Sequence, residues 1–482
     1  QNDLSEVSER KISRVHQSDR EENFMRINHN ISAQWANTNL KRADRRMSSA
    51  LQSLSSGYKI NKAADDSVGL AISNKMRAQI RSLDQASRNA DDGESIIQTV
   101  DGSLAEIQKV VQRLRELSVQ AASDTYVIDD RDSMQKEMNS LMDEIDRIAS
   151  TTEFNGKGLL DGSSSRATTS TNYIFSVVSV SEQVKAADYD IELTGQASNA
   201  TASIEYTIPA DGKSTIEING VSIEIESTDT SDDVKEKVLA VCNKMEIDVS
   251  TGNAANSFNL ATKAAGSLQS ITYRSFNDTE THVTRGTDAQ VKLTDRNGNI
   301  LTDGIAYHGN GELVTISDNS GFEMKVRINP AGAVGQTSEL HVYDGGSMQL
   351  QIGANEHQDI RIDFPELSCL TLGLREVDGD NMANVCSQQG ASNAITVFSD
   401  ASAQISAYRS RLGAYENRLE TTVSSLDVSS ENMTDSMSRI LDTDMAVAMT
   451  EYTQSSVLSQ AATSMLAQAN NRPQQIMSLL QG

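Results

Sequence analysis

Apolar residues recur at alternating steps of three and four between residues 97 and 114 of this chain. Such spacing is typical of a helix that lies along another helix, because each apolar side chain then needs a hole on the facing helix. The sequence therefore predicts a long helix that requires a partner and has a polar face left over. The predicted seam consists of Ile97, Val100, Leu104, Ile107, Val111 and Leu114, and the polar face carries Gln112, Arg113, Arg115 and Glu116.

A second seam near the C-terminus supplies the expected partner. It begins near residue 392 and has the same steps of three and four. Helices from both ends of the chain are expected to pack as one bundle, with the residues between them as an insertion. Periodicity does not identify partners, so two separate helical hairpins, each dimerising with another chain, stay open as an alternative. The second seam consists of Ile405, Tyr408, Leu412, Tyr415 and Leu419.

From about residue 172 to 365 the apolar period changes to two, which is typical of strands. "TIEINGVSIEIE" alternates apolar residues around Asn219-Gly220, a pair that tolerates the positive φ angles of a tight hairpin turn. Asn297-Gly298 repeats this device, and a short helix with Ser231 or Asp232 as its cap interrupts the strands. We therefore expect an α+β fold, with a long antiparallel α-helical coiled-coil bundle from both chain ends and a β-rich, hairpin-containing central insertion.

The two outermost predicted helices differ from those of the bundle. A helix over 36–56 is expected to stop at Gly57, and the segment 445–482 has small residues on most of its faces. An isolated helix of this kind is marginal in water, so it needs packing partners from other chains. Pro473 is expected to end or kink the last helix after Arg472.

Composition argues against several classes of function. The formal net charge of −25 is unfavourable for binding nucleic acid or inserting into an anionic membrane surface, since both need clustered Lys and Arg. No apolar run approaches the roughly 18 residues of a membrane-spanning helix, and no Sec-type signal peptide is expected. The three cysteines and six histidines lack metal-ligand spacing, and no nucleophile or phosphate-loop motif occurs. We therefore expect no enzymatic activity, no cofactor and no metal.

Several stretches carry a resemblance to a known family. The run from "INHNISAQWANTNLKRADRRM" through "SSGYKINKAADDSVGLAISNKM" to "QRLRELSVQAA" resembles the N-terminal region of bacterial flagellins. "RSRLGAYENRLETTVSSL" and "SVLSQAATSMLAQANNRPQQIMSLL" resemble the flagellin C-terminal region. "MQLQIGANEHQDIRIDF" is similar to the flagellin hairpin before that region, with His357 where Gly is common. The likeness covers roughly residues 25–165 and 345–482, and a small repeat at 214–244 is similar to one in flagellin middle regions.

The resemblance implies an architecture. The outermost helices form the inner tube of a filament, called D0, the bundle is called D1, and the central insertion is the outer domain. The expected segments are a non-native or disordered leader at 1–24, the N-terminal D0 helix at 25–60, the N-terminal part of D1 at 61–171, the variable β-rich outer domain at 172–344, the C-terminal part of D1 (hairpin plus helix) at 345–436, and the C-terminal D0 helix at 437–482.

The resemblance also implies a function, namely a structural subunit that polymerises into the bacterial flagellar filament for motility. The implied partners are other copies of the chain, the flagellar cap, hook-associated junction proteins, and an export chaperone that binds the C-terminal helix. The implied location is extracellular, after export by the flagellar type III apparatus without a cleaved Sec signal peptide. In some flagellins, the surface that matches "QRLRELSVQ" contacts the Toll-like receptor with which animal hosts sense flagellin. The residues carried over to this chain are Gln112, Arg113, Glu116, Leu117 and Glu137.

Alternatives remain at this stage. The chain also resembles, more weakly, the hook–filament junction protein, and its central domain is open to an enzymatic or adhesive role. The polar face is open to the simpler role of a rim around contacts between filament subunits. The likeness begins at Met25, and Arg20-Glu21-Glu22 could be encoded by a purine-rich ribosome-binding site. We therefore expect residues 1–24 to be a translated leader, with a disordered tail as the alternative.

Overall fold

The computed structural model describes residues 29–480 apart from 182, 253–255, 276–279, 296–304, 319–320, 344 and 377–380. The predicted leader at 1–24 and the predicted turn at Asn297-Gly298 lie outside the described residues. Helices from both chain ends flank a series of antiparallel sheets, so the predicted α+β class is confirmed. The chain divides into two compact units, one up to Arg81 together with Val428 onward, and one over Ser82–Asp427.

The helices account for most of the two chain ends. In α1 the helix ends as predicted, because Gly57 has a φ of +76° and its N–H donates to the carbonyl of Ser53 over 2.8 Å. The helices are α1 (Ile31–Ser56), α2 (Ser67–Ala121), α3 (Ile128–Thr151), α4 (Ser231–Lys244), α5 (Gln388–Leu441) and α6 (Met445–Leu480).

In the first unit, α1 and α6 pack antiparallel to each other. The side chain of Ser459 donates to the Asp44 carboxylate over 2.8 Å, and the side chain of Asn30 donates to the carbonyl of Ala469 over 2.8 Å. Small residues occupy the contact, which lets the two backbones approach closely. The buried residues of this pair are Ala43, Ala50, Ala448, Ser455 and Ala469.

Of the expectation that Pro473 ends or kinks the last helix after Arg472, the ending is wrong, because α6 continues to Leu480. Proline removes one helical hydrogen bond, since it has no N–H to donate to the carbonyl four residues earlier. Here that carbonyl belongs to Ala469, and it accepts a hydrogen bond from Asn30 instead. The helix therefore passes through Pro473 without leaving this carbonyl unpaired.

In the second unit, α2 packs antiparallel to both α3 and α5. Between α2 and α5 the guanidinium of Arg409 donates to both oxygens of Asp101, over 2.8 and 3.1 Å. Further along, Gln108 donates to Ser402 over 2.7 Å, so that the residue number rises on one helix as it falls on the other. The two seams therefore meet within one chain, and the alternative of two separate hairpins is wrong.

All eleven residues of the two predicted seams are buried in a single apolar core. This core also takes in α3 and the extended segment that precedes α5. On α3, the buried residues of this core include Met134, Met138, Met142 and Ile145, whereas Leu141 and Ile148 lie at its edge.

The strands form small antiparallel sheets, and the Asn219-Gly220 hairpin joins β7 to β8 as predicted, with φ angles of +47° and +82°. The strands are β1 (Glu153–Phe154), β2 (Lys157–Gly158), β3 (Thr168–Ser170), β4 (Phe175–Val180), β5 (Asp188–Gly195), β6 (Thr201–Glu205), β7 (Lys213–Ile218), β8 (Val221–Glu226), β9 (Ile247–Thr251), β10 (Ser257–Thr262), β11 (Ser270–Arg274), β12 (His282–Arg285), β13 (Gln290–Asp295), β14 (Ala306–Asn310), β15 (Leu313–Ser317), β16 (Glu323–Ile328), β17 (Thr337–Val342), β18 (Met348–Gln351) and β19 (Asp359–Ile362).

The central domain has two lobes, each with its own apolar core. In one lobe the sheets β13-β5-β17-β3 and β14-β15-β16-β4 enclose a core that includes Phe175, Leu293 and Leu340. In the other lobe the sheets β6-β10-β9 and β12-β11-β7-β8 pack with α4 around Ile216 and Val238. Alternating strands bury one face and leave the other polar, which explains the period of two.

The cap of α4 differs from the prediction. Thr230, and not Ser231 or Asp232, is the N-cap residue, because its side chain accepts from the backbone N–H of Asp233 while the Asp233 carboxylate accepts from the N–H of Thr230. This reciprocal pair is a capping box. The N-cap therefore lies one residue before Ser231 and two residues before Asp232.

The chain crosses from the bundle into the central domain and back again at one place, which we call the neck. The N–H of Ala167 donates to the carbonyl of Gly345 over 2.8 Å, and the N–H of Tyr343 donates to the carbonyl of Ala167 over 2.9 Å. The chain therefore enters and leaves the domain side by side.

Candidate assembly and recognition surfaces

The pair formed by α1 and α6, here called the terminal helix pair, exposes a large number of apolar side chains. Apolar patches exposed on the surface of a protein usually mark contacts with other molecules. Trp35, the single tryptophan of the chain, is 72% exposed. The other exposed apolar residues of the pair are Ile31, Leu51, Met445, Val447, Met449, Val457, Leu458 and Met465.

The polar face of α2 carries a charged cluster shared with α3. The Arg113 guanidinium donates to the Glu137 carboxylate through Nη2 over 2.8 Å and through Nε over 3.2 Å. Its Nη1 atom lies 3.5 Å from the Glu116 carboxylate. Gln112 is exposed beside them. Four of the five residues carried over from flagellins are thus brought together, and we call Gln112, Arg113, Glu116 and Glu137 the Arg113 surface.

The electrostatics of the Arg113 surface fit a contact site better than a stabilising one. Hydrogen bonding to Glu137 raises the pKa of Arg113 above its ordinary value, so the guanidinium is charged at any physiological pH. About half of each side chain in this pair remains exposed. Exposed ion pairs contribute about 0–1 kcal/mol to folding, so the pair mainly holds the arginine in one orientation on the surface.

Leu117 does not belong to this surface, and its prediction as an exposed contact residue is corrected. It is 2% exposed and packs in the bundle core together with Leu114. The reason is geometric, because residues three apart on a helix share a face, and Leu117 follows Leu114 at that spacing. The exposed apolar residue in this part of α2 is Val119.

Two buried polar residues of α3 were missed at the level of the sequence. Arg131 donates to the carbonyls of Ala121 and Ser123, over 2.8 and 3.0 Å, and so satisfies groups that the end of α2 leaves unpaired. Gln135 accepts from the N–H of Val385 over 2.8 Å. The sequence signal available for Arg131 was an arginine one turn into α3, close to the end of α2. No local sequence pattern indicated the contact between Gln135 and Val385.

A buried lysine lies where the central domain meets α5. Lys325 on β16 is 2% exposed; its Nζ donates to Gln404 over 2.5 Å and to the carbonyl of Thr371 over 3.3 Å. Burial lowers the pKa of Lys325 below the ordinary value of 10.5. The ring centroid of Tyr408, a residue of the second seam, lies 5.7 Å from the ammonium. A cavity of about 560 Å³ opens beside the lysine and is also lined by Asp288 and Asp400.

The cysteines are buried thiols. Burial raises the pKa of Cys242 and of Cys386 to about 12 and also raises that of Cys369, so all three are protonated at neutral pH. Within the described part of the chain, His, Cys, Asp and Glu side chains form no group of three that could hold a metal ion. No helix among the described residues combines the length and apolarity that a membrane span needs.

Comparison with known proteins gives matches at both chain ends and along the whole length. Residues 27–165 match the family model of the bacterial flagellin N-terminal helical region, and residues 395–480 match that of the C-terminal helical region. A flagellin of Clostridium tyrobutyricum is 35% identical over 93% of this chain and 100% of its own length. A flagellin of Salmonella rubislaw is 29% identical over 94% of this chain and 99% of its own. A solved structure of FliC from Burkholderia pseudomallei covers 68% of this chain and 99% of its own, with 17% identity and a TM-score of 0.23.

Proposed function

Because this chain belongs to the bacterial flagellin family, and is therefore a structural subunit of the extracellular flagellar filament, we propose that the terminal helix pair is its assembly surface in the filament core. The exposed apolar side chains of α1 and α6 support this most directly, since contacts with other subunits would remove them from water. The proposal keeps residues 25–60 and 437–482 as D0, with 61–171 and 345–436 as D1 and 172–344 as the outer domain.

Deletion of residues 438–482 tests this assignment. The deletion removes α6 but keeps the whole second seam, so polymerisation is expected to be lost while the bundle stays folded. Electron microscopy reports filaments, and circular dichroism reports helix content and thermal unfolding of the bundle. Collapse of the bundle together with assembly would contradict the assignment.

A point variant tests the same surface without shortening the chain. Val457→Asp places a charge on the exposed face of α6 and is expected to prevent polymerisation, because a charge buried without a partner is costly. Val283→Asp is the matched control, since Val283 on β12 is exposed to a similar extent but lies in the central domain. Normal filaments from Val457→Asp would count against the proposal.

A second function is supported by the Arg113 surface. We infer that the flagellin-sensing Toll-like receptor of animal hosts recognises it, with Arg113 as the main contact and Glu137 holding that side chain in position. An interface arginine of this kind typically contributes more than 1 kcal/mol, and central ones about 2 kcal/mol or more. The simpler alternative, in which these residues only surround contacts between filament subunits, is separated from it by measuring binding to monomers.

The test compares two arginines with similar surroundings in the free chain. Arg113→Ala is expected to weaken receptor binding by at least about fivefold, which corresponds to roughly 1 kcal/mol. Arg147→Ala is the control, since Arg147 is also an exposed residue of the bundle and pairs with Glu144 over 2.5 Å. Both variants are expected to unfold like the wild type. Equal affinity of the wild type and Arg113→Ala for the purified receptor ectodomain would end the receptor proposal.

Further partners follow from the same assembly role. We propose that an export chaperone covers the exposed apolar face of α6 before export through the flagellar type III apparatus, and that the cap and the hook-associated junction proteins contact the filament ends. Loss of chaperone binding by the 438–482 deletion would support the first of these. The junction-protein alternative for the chain itself is set aside, because the matched relatives named above are flagellins along their whole length.

The central domain is proposed to be structural and not enzymatic. Strands with a buried inner face and a polar outer face account for its sequence pattern. A hydrolytic or proteolytic activity of the purified protein that disappears on mutation of a single histidine would overturn this proposal.

A further inference from the structure

Helix α6 contains a proline at a position where the helix continues. Pro473 has no N–H, so the carbonyl of Ala469 cannot receive its usual hydrogen bond from four residues later. Ala469 is buried, at 8% exposure, against α1. A buried carbonyl needs a donor from somewhere, and α6 has none to offer at this point.

The donor comes from the opposite end of the chain. Asn30 is the N-cap residue of α1, where its Oδ1 atom accepts from the N–H of Ala33 over 3.0 Å. Its Nδ2 atom donates to the carbonyl of Ala469 over 2.8 Å. A side-chain amide carries an acceptor and a donor, so a single residue completes the start of α1 and the interrupted ladder of α6.

We propose that Asn30 sets the register of the terminal helix pair at the end where α1 begins, and is thereby a determinant of assembly, because it pairs the carbonyl that Pro473 leaves free. A slip of α6 by one turn would move that carbonyl about 5.4 Å away and leave it unpaired. The hydrogen bond between Ser459 and Asp44 joins exposed groups and restrains the register less.

At the opposite end of the pair, the N–H of Thr443 donates to the carbonyl of Gly57 over 2.9 Å and the N–H of Lys59 donates to the carbonyl of Leu441 over 2.6 Å. Asn30 therefore acts at the end of the pair that is farthest from this backbone anchor. This inference rests on the proposed role of the terminal helix pair as the assembly surface.

The hydrogen bond between Asn30 and Ala469 can be tested separately from the capping of α1. The Asn30 side chain caps the helix through its oxygen atom and donates to Ala469 through its nitrogen atom. Asn30→Asp and Asn30→Ser keep an acceptor that caps α1, but neither has a side-chain N–H that can reach Ala469. Pro473→Ala restores the backbone N–H within α6, so that Ala469 no longer depends on Asn30. The side-chain donor at position 30 is therefore expected to matter only when position 473 is proline.

The experiment measures the monomer concentration that coexists with seeded filaments. In the wild-type background, Asn30→Asp and Asn30→Ser are expected to raise it about five- to tenfold. In the Pro473→Ala background the same substitutions are expected to change it less than twofold. The comparison is a ratio within each background, so an effect of Pro473→Ala alone does not alter it. An unchanged concentration in the wild-type background, or equal factors in both backgrounds, would overturn the proposal.

A spectroscopic measurement gives an independent answer. Solid-state NMR of filaments labelled with ¹³C at the alanine carbonyls reports hydrogen bonding at Ala469. Its carbonyl signal is expected to shift in Asn30→Ser filaments and to stay in place in Pro473→Ala filaments, where a backbone donor replaces the side chain. No shift in Asn30→Ser filaments would exclude the pairing even if assembly were weakened. Failure of the assembly surface itself is detected separately, by normal polymerisation of Val457→Asp.

Discussion

At the scale of single residues, local chemistry predicted backbone conformation better than it predicted exposure. Gly57 and Asn219-Gly220 adopt the left-handed conformations that their sequence context demands. His357 does so as well, with a φ of +63°, a conformation that glycine adopts without the steric cost of a side chain. Leu117 was wrongly predicted to be a contact residue because the motif "QRLRELSVQ" contains both buried and exposed residues of α2. A match to the motif does not show which of its residues face the core.

Leu117 is accordingly expected to matter for stability. Leu117→Ala removes a fully packed side chain from the bundle core and should lower the free energy of unfolding by about 2–4 kcal/mol. Val119→Ala, two residues away and exposed, should change it by less than about 0.5 kcal/mol. Urea unfolding followed by circular dichroism measures both. A loss below about 1 kcal/mol for Leu117→Ala would show that the site is not tightly packed.

At the scale of elements, periodicity predicted helices and strands but not which strands are neighbours. The seams of α2 and α5 follow from steps of three and four, and the hairpin β7–β8 follows from its turn. In contrast, Leu340 of β17 lies opposite Tyr189 of β5, about 150 residues earlier in the chain. Such pairing depends on how the two lobes close around their cores, and no local pattern encodes it. The same holds for Gln135, whose partner at Val385 belongs to a different part of the bundle.

The burial of Lys325 between β16 and α5 makes the free energy of unfolding depend on pH in the alkaline range. The pKa of Lys325 is lowered in the folded chain, so between that lowered value and 10.5 the unfolded chain binds more protons than the folded one. The contribution of this lysine to stability therefore improves as pH rises through this window, and worsens as pH falls. Lys325→Met removes the titration.

We expect the free energy of unfolding of the wild type to rise relative to that of Lys325→Met between about pH 8 and pH 10. This interval lies just below the ordinary pKa of a lysine side chain, which is 10.5. The difference between the two proteins is the informative quantity, because titration of the buried cysteines and of Tyr408 is common to both. Lys235→Met is a control, since Lys235 is exposed on α4. Parallel curves for the wild type and Lys325→Met would show that the ammonium is not destabilised by burial.

At the scale of the whole molecule, the neck between bundle and central domain depends on one glycine. Gly346 has a φ of +99°, and a Cβ atom at this position would clash with the backbone carbonyl of Ser165. Neither strand of the neck can move aside easily, because Ala167 is hydrogen-bonded to both Tyr343 and Gly345. The composition of the neck was visible in the sequence as Gly345-Gly346, but the need for the second glycine was not.

Gly346→Ala is therefore expected to destabilise the folded chain by about 1–3 kcal/mol and to open the neck. Gly345→Ala is the matched control, since a Cβ atom there meets nothing within 4 Å. Limited proteolysis, read out by mass spectrometry, should cut Gly346→Ala faster near residues 165 and 346 than either the control or the wild type. Equal cleavage rates for the two variants would show that the close approach is not needed.

The hydrogen bonds at Ala167 also bear on how the central domain can vary in length. The residues between the two crossings of the neck form a closed loop as seen from the bundle, and the entropy of closing a loop rises only with the logarithm of its length, by about 0.6 kcal/mol per doubling. An insertion or deletion in an exposed turn, away from Ala167 and from contacts such as that of Lys325 with Gln404, thus changes the length of the loop without displacing its attachment to the bundle. The chain can therefore gain or lose surface in its central domain at little cost to the packing of its helices.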